Sequence, residues 1–217
     1  MIKFRIFGFD VVIQWSYWLI FIVLLIEMSH YDFSLANLFI ILLLMVSLFI
    51  SVLGHELSHS LVAKRLGIDT RIISINAMGG YMITNSMPSQ RQMLLIASAG
   101  PIFNLALSFD ISALLYIVGI FNINLGIFYK VAVFSVVLNL FQALLNALPA
   151  SPLDGGRILQ ALLHEIFDNE TVRRISIIVS HICAALIVTL GIVTHYHIVM
   201  IISLIIWLTI WIENRRS

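Results

Sequence analysis

Apolar stretches separated by short polar connections run through the whole chain. The first extends from Val11 to Met28, after a short lead, Met1 to Asp10, that carries Lys3 and Arg5. Trp15, Tyr17 and Trp18 near its start suit an interfacial anchor. The second runs from Leu35 to Ala63 and closes on Lys64-Arg65-Leu66-Gly67, where Gly67 is placed to stop a helix. Further runs cover Met93 to Ile120, Gly126 to Leu148, Val172 to Thr194 and His197 to Ile212. A membrane-crossing helix needs about 20 apolar residues, so the pattern predicts about six spans.

Two segments depart from it. Arg71 to Thr84 is rich in β-branched residues and interrupted by Gly79-Gly80, which predicts a β-hairpin or a pair of extended strands. Asn146 to Arg157 holds Pro149, Pro152, Gly155 and Gly156, which predicts a helix break before a helix from Gly155 to Phe167. The expected fold class is an all-α polytopic membrane protein, with a small β-hairpin insertion after the second span and residues 1–217 forming a single domain.

Composition agrees. The 217 residues are 61% hydrophobic and 11% charged, where a soluble domain carries about 25% charge. The net charge of +1 suggests no nucleic-acid partner. Cys183 is the single cysteine, which excludes an intrachain disulfide and a cysteine-built zinc site. The first apolar run lacks a small-residue cleavage site and is expected to be a retained span.

In a six-span arrangement Lys3, Arg5, Lys64, Arg65, Arg71, Arg91, Arg157, Arg173, Arg174, Arg215 and Arg216 fall on one side. Only Lys130 falls on the other. Basic residues favour the cytoplasmic side, so both termini are expected there.

The second run carries the chemistry. Its last third reads His55-Glu56-Leu57-Ser58-His59. Residues i and i+4 share one helix face, so His55 and His59 can reach one metal ion, and Glu56 is placed to act as general base toward a water activated there. Two packing histidines with a paired carboxylate are the plainer alternative. Ionisable groups at membrane depth are costly, which favours function. With Lys64 and Arg65 at the interface, His55 lies roughly 15 Å below the cytoplasmic surface at about 1.5 Å per residue.

A catalytic zinc takes three protein ligands. Asp154 is the best third candidate, since its broken backbone could line a cavity at membrane depth. Spacing alone would favour a plain helix N-cap instead. Glu165, Asp168 and Glu170 form a solvated charge cluster, and His164 is expected at the interface. Asn139, Gln142 and Asn146 make one stripe of the fourth span. Helix–helix hydrogen bonding suits the first two, and Asn104 has the same two readings. Asp110 and Lys130 could pair near the outer side. His181 and Cys183 fit packing roles.

The pair His55-Glu56-x-x-His59 and Asn146-x-x-Pro149-x-x-Pro152-x-Asp154-Gly155-Gly156-Arg157 resembles the site-2 protease family of intramembrane zinc metalloproteases. Gly79-Gly80 after an extended segment and Ala99-Gly100-Pro101 opening a span extend the resemblance over most of the chain. It implies one zinc held by His55, His59 and Asp154, with Glu56 as the catalytic acid/base and Asn146 near the reacting carbonyl. It further implies cleavage of transmembrane segments in membrane-protein substrates. Ser58 stands where the family often has glycine, and Gln14 where it often has a basic residue or histidine. No PDZ-like or CBS-like segment is visible, so a separate regulatory membrane protein is a candidate partner beside the substrate and the bilayer. The strand region Arg71 to Thr84 is a candidate substrate-binding edge.

Two other function classes compete. A metal-ion transporter could use the same His/His/Asp site, but Glu56 would have no task and a matched pair of broken helices is absent. A catalytically dead scaffold would not be expected to keep His55, Glu56, His59 and Asp154 together.

Overall fold

A computed structural model describes residues 1–29, 34–77 and 79–194. The elements in order are β1 (Ile2–Ile6), β2 (Phe9–Ile13), α1 (Trp18–Ser29), α2 (Leu35–Arg65), β3 (Thr70–Asn76), β4 (Gly79–Thr84), α3 (Gln90–Ile120), α4 (Ile127–Asn146), α5 (Asp154–Leu163) and α6 (Asn169–Thr194). Among the described residues four helices, α2, α3, α4 and α6, are long and apolar enough to cross a membrane. The sixth expected span, His197 to Ile212, lies outside the described residues. The chain divides into two compact units.

The first unit comprises Met1–Met87 and Ile102–Ala143. Its sheet is larger than expected. Four strands lie in the order β1-β2-β3-β4, so the predicted hairpin β3–β4 is joined by an N-terminal hairpin. Phe7 and Gly8 both have positive φ (50° and 88°) and link Ile6 to its cross-strand partner Phe9. That two-residue turn matches the right-handed twist of the strands it connects. β2 then pairs in parallel with β3, setting Val11 opposite Ile73 and Ile13 opposite Ile75. Parallel pairing needs a long crossover, here supplied by α1 and α2.

The expected first span, Val11 to Met28, is therefore corrected. Val11–Ile13 is strand, and the helix that follows has 12 residues, about 18 Å at 1.5 Å per residue. Tyr17 is likewise no interfacial anchor. It is buried, and its hydroxyl donates to the Met45 carbonyl at 2.9 Å, while Trp15 and Trp18 are exposed.

Phe9, Val11, Tyr17, Ile73 and Ile75 form one buried cluster with Ile41, Met45, Val52, Leu53 and Leu57 of α2. The sheet is thus packed against α2. Ile73 is fully buried, and its truncation to alanine would cost about 2–5 kcal/mol. α2 ends where expected. Gly67 has φ +79°, and the Gly67 and Ile68 amides donate to the Lys64 and Ala63 carbonyls, which closes the last turn.

The second unit comprises Pro88–Pro101 and the chain from Leu144. α3 opens on a reciprocal cap. The Gln92 amide donates to Ser89 Oγ and the Ser89 amide donates to Gln92 Oε1. This start at Gln90 places Ala99-Gly100-Pro101 in the third turn, deeper than the sequence suggested, with Pro101 inside the helix. After α4 the chain turns through 147–153, with a cis bond at Ser151–Pro152. The Ser151 amide donates to Ser180 Oγ of α6 at 3.0 Å.

Candidate metal centre

His55 and His59 lie on one face of α2, both buried, with ring centroids 4.7 Å apart and planes nearly perpendicular. Glu56 between them is buried too. The i, i+4 spacing alone brings the two imidazoles together.

The His55 ring is held by an amide on α3. Its Nδ1 lies 2.5 Å from Asn104 Oδ1 on α3. Asn104 Nδ2 donates to Asn139 Oδ1 at 2.7 Å and to Ser51 Oγ at 3.1 Å. Ser51 Oγ lies 2.8 Å from Asn139 Oδ1 and 2.6 Å from Gln142 Oε1. Asn104, Asn139 and Ser51 are all almost completely buried. Asn139 and Gln142 thus bridge α4 to α2, as their stripe suggested. Asn104 does more than bridge, and the sequence left that undecided.

The β-hairpin reaches the same place. Gly80, the second residue of β4, has no room for a side chain, since an added Cβ would come within 2.9 Å of Glu56 Oε1 and closer to its stem. Backbone therefore lies directly against the carboxylate. Gly79-Gly80 was legible as a strand breaker, but its contact with Glu56 was not.

Asp154 corrects the cap reading. It is the first residue of α5, whose N-cap is Leu153, with no side-chain cap. It is buried, and the Arg157 guanidinium lies 4.0 Å from its Oδ1. Gly155 lets the chain fold tightly here, because a Cβ on it would run into the Ala147 and Leu148 carbonyls.

His55, His59 and Asp154 form a buried group whose ligand atoms all lie within 4.8 Å of one another. Two imidazole nitrogens and one carboxylate oxygen are a donor set that zinc takes in catalytic sites, with a fourth position open. The donors, their burial and their convergence fit that ion.

The remaining candidates are not among these three donors. Asn146 is the half-buried last residue of α4. His164 is the C-cap of α5 and stands outside the group of three. Glu165 is exposed and lies 3.8 Å from Arg91, and Glu170 is paired with Arg173 and Arg174. Asp110 and Lys130 are both exposed. His181 Nδ1 lies 2.8 Å from the Ile177 carbonyl, and Cys183 is half-buried on the same helix, consistent with packing.

The model of the peptidase family M50 matches residues 43–132 and 116–190. A zinc metalloprotease of Methanocaldococcus jannaschii is 31% identical over 215 residues, which is 98% of this chain and 60% of that protein. Putative zinc metalloproteases of Mycobacterium tuberculosis and of Synechocystis are 36% and 34% identical over 120 and 125 residues. The chain spans only 30% and 32% of their lengths. The solved site-2 protease of M. jannaschii superposes with a TM-score of 0.69 at 25% identity, covering 98% of this chain and 94% of that one.

Proposed function

The chain belongs to peptidase family M50, and from that premise we propose that it is a multi-pass membrane zinc endopeptidase. It hydrolyses peptide bonds in or near transmembrane segments of membrane-protein substrates. The observation that carries this reading is the buried convergence of His55, His59 and Asp154 with Glu56 in the same helical turn. Those three residues would hold one zinc, which supplies Lewis acidity for peptide hydrolysis. Glu56 takes a proton from the attacking water as the new C–O bond forms, and returns it to the leaving amine as the C–N bond breaks. Asn146 donates a hydrogen bond to the carbonyl oxygen as its charge develops.

A helical substrate keeps its peptide bonds within its own ladder and must unwind locally. β4 is an edge strand among the described residues. An extended substrate added to that edge would run past Gly80, whose backbone already lies against Glu56. Counted on a six-span arrangement, the eleven-to-one distribution of basic residues supports cytoplasmic termini and an active site toward that side, in the cell membrane. The bilayer and a regulatory membrane protein are the other expected partners, and no nucleic acid is.

The test is reconstitution in vesicles with zinc measured beside proteolysis. An endopeptidase retains about one zinc per chain through dialysis and cleaves a transmembrane substrate. Zinc flux across the vesicle wall without cleavage would identify a transporter and reject this reading.

A further inference from the structure

We propose that Asn104 and Asn139 are positioning residues that fix the tautomer of His55, with the backbone carbonyl of Ser135 as the origin of the order. The inference rests on the zinc reading above. A carbonyl oxygen can only accept. Asn139 Nδ2 donates to the Ser135 carbonyl at 2.8 Å, which leaves Asn139 Oδ1 turned away as an acceptor. Asn104 Nδ2 donates to that oxygen at 2.7 Å, which turns Asn104 Oδ1 toward His55. His55 Nδ1, 2.5 Å away, must then carry the hydrogen, and Nε2 is left with the lone pair that a metal needs.

Each amide has one orientation consistent with its neighbour, so the direction set at Ser135 passes through three hydrogen bonds to the ring. A flipped Asn139 would face donor against donor at Asn104 and acceptor against acceptor at Ser135, and a flipped Asn104 would face acceptor against acceptor at Asn139. A flipped Asn104 would present its NH2 to Nδ1 and favour the tautomer with hydrogen on Nε2, which cannot bind. The partner of a metal-ligating histidine is commonly a carboxylate, a backbone carbonyl or water. Here it is a carboxamide, neutral and itself oriented. All three side chains are almost completely buried, so water is poorly placed to substitute.

The test uses the full-length protein in detergent, with zinc affinity measured by competition with a chromophoric chelator and ligand geometry read from the visible spectrum of the cobalt-loaded form. Asn104→Ala should weaken zinc about 10–100-fold and alter the cobalt spectrum. Asn104→Asp keeps an acceptor for Nδ1–H but sets its second oxygen against Asn139 Oδ1, so it should recover only part of the affinity lost in the alanine variant. Asn139→Ala, which frees the Asn104 amide to flip, should weaken zinc by an intermediate factor.

Ser47→Ala removes the 2.6 Å bond to Ser135 Oγ between the same two helices without touching this chain of donors. It should lower the melting temperature while leaving zinc affinity unchanged. Parental affinity in Asn104→Ala overturns the proposal, as does an Asn104→Asp protein that loses zinc as fully as the alanine variant. If Asn104→Ala does not fold, Asn139→Ala decides, and an unchanged affinity and cobalt spectrum there overturn it. A parent protein that binds no zinc would instead reject the underlying reading.

Discussion

Helices α5 and α6 each have an aspartate at their start, and the two carboxylates differ in almost every physical respect. Asp168 precedes α6 as its cap. Its Oδ1 accepts from the Thr171 amide at 3.1 Å, and the side chain is exposed. Asp154 is already inside α5 and is buried, and Leu153 rather than Asp154 occupies the cap position. The chain before it is a turn with two prolines, closed tightly against Gly155. The cap motif is local and inexpensive. A buried carboxylate keeps its charge only where that charge is compensated. The half-exposed Arg157 guanidinium lies 4.0 Å from Asp154, which makes with His55 and His59 a group of donors that could hold a metal ion.

The largest expected effect breaks or establishes this contrast directly. Asp154→Asn should weaken zinc by well over tenfold and remove proteolysis, because the site loses both a ligand and the charge that reduces a +2 ion to a net +1. Equilibrium dialysis with a zinc indicator measures it. X-ray absorption of the parent should show only N and O ligands near 2.0–2.2 Å and no sulfur shell near 2.3 Å. Unchanged affinity in Asp154→Asn would make the two aspartates equivalent after all.

A third carboxylate sharpens the comparison. Glu56 shares the burial of Asp154 but stands outside the group of three donors. Glu56→Gln should abolish cleavage while about one zinc per chain remains bound, since all three ligands persist. Loss of the metal in that variant would place Glu56 among the ligands.

The two aspartates also mark where sequence was sufficient. Everything set by local periodicity was legible, including the four long helices, the His55–His59 face, the β3–β4 hairpin and the stop at Gly67. What was missed depends on partners distant along the chain. Val11–Ile13 looked like the start of a span because its apolar run merges with α1. Its strand identity comes from Ile73–Ile75, about 60 residues on. Tyr17 looked interfacial because its acceptor is the Met45 carbonyl. Asp154 was ambiguous for the same reason, since both a cap and a ligand tolerate prolines before and glycines after. Asn104 gave a signal, as a polar residue in an apolar run, but its partner on α2 could not be read from spacing.

A smaller effect tests how the turn before α5 is held. A methyl on Gly155 meets backbone carbonyls, which have little freedom to move. Gly155→Ala should cost about 1–3 kcal/mol, typical of overpacking, and weaken zinc less than Asp154→Asn does. Melting temperature with and without zinc checks it. A variant that melts and binds zinc like the parent would show that Asp154 does not depend on this tight approach.

The smallest effect belongs to Asp168, and it tests the other half of the contrast. The Thr171 side chain, then the Thr171 backbone amide, hold its carboxyl below the ordinary value of 3.8 through hydrogen bonds to the ionised form. A carboxylate whose folded pKa is depressed adds stability that is present above the unfolded value and lost as pH falls through the folded one. Asp168→Asn keeps an oxygen for the cap but cannot ionise. Its melting temperature should therefore fall slightly below that of the parent at neutral pH. The gap should close as the pH is lowered through and below 3.8. Zinc affinity and proteolysis at pH 7 should not change, because Asp168 stands outside the group of three ligands. A gap that persists in acid would mean that the charge of Asp168 is not what stabilises the start of α6. A loss of zinc would mean that burial had failed to separate the two aspartates.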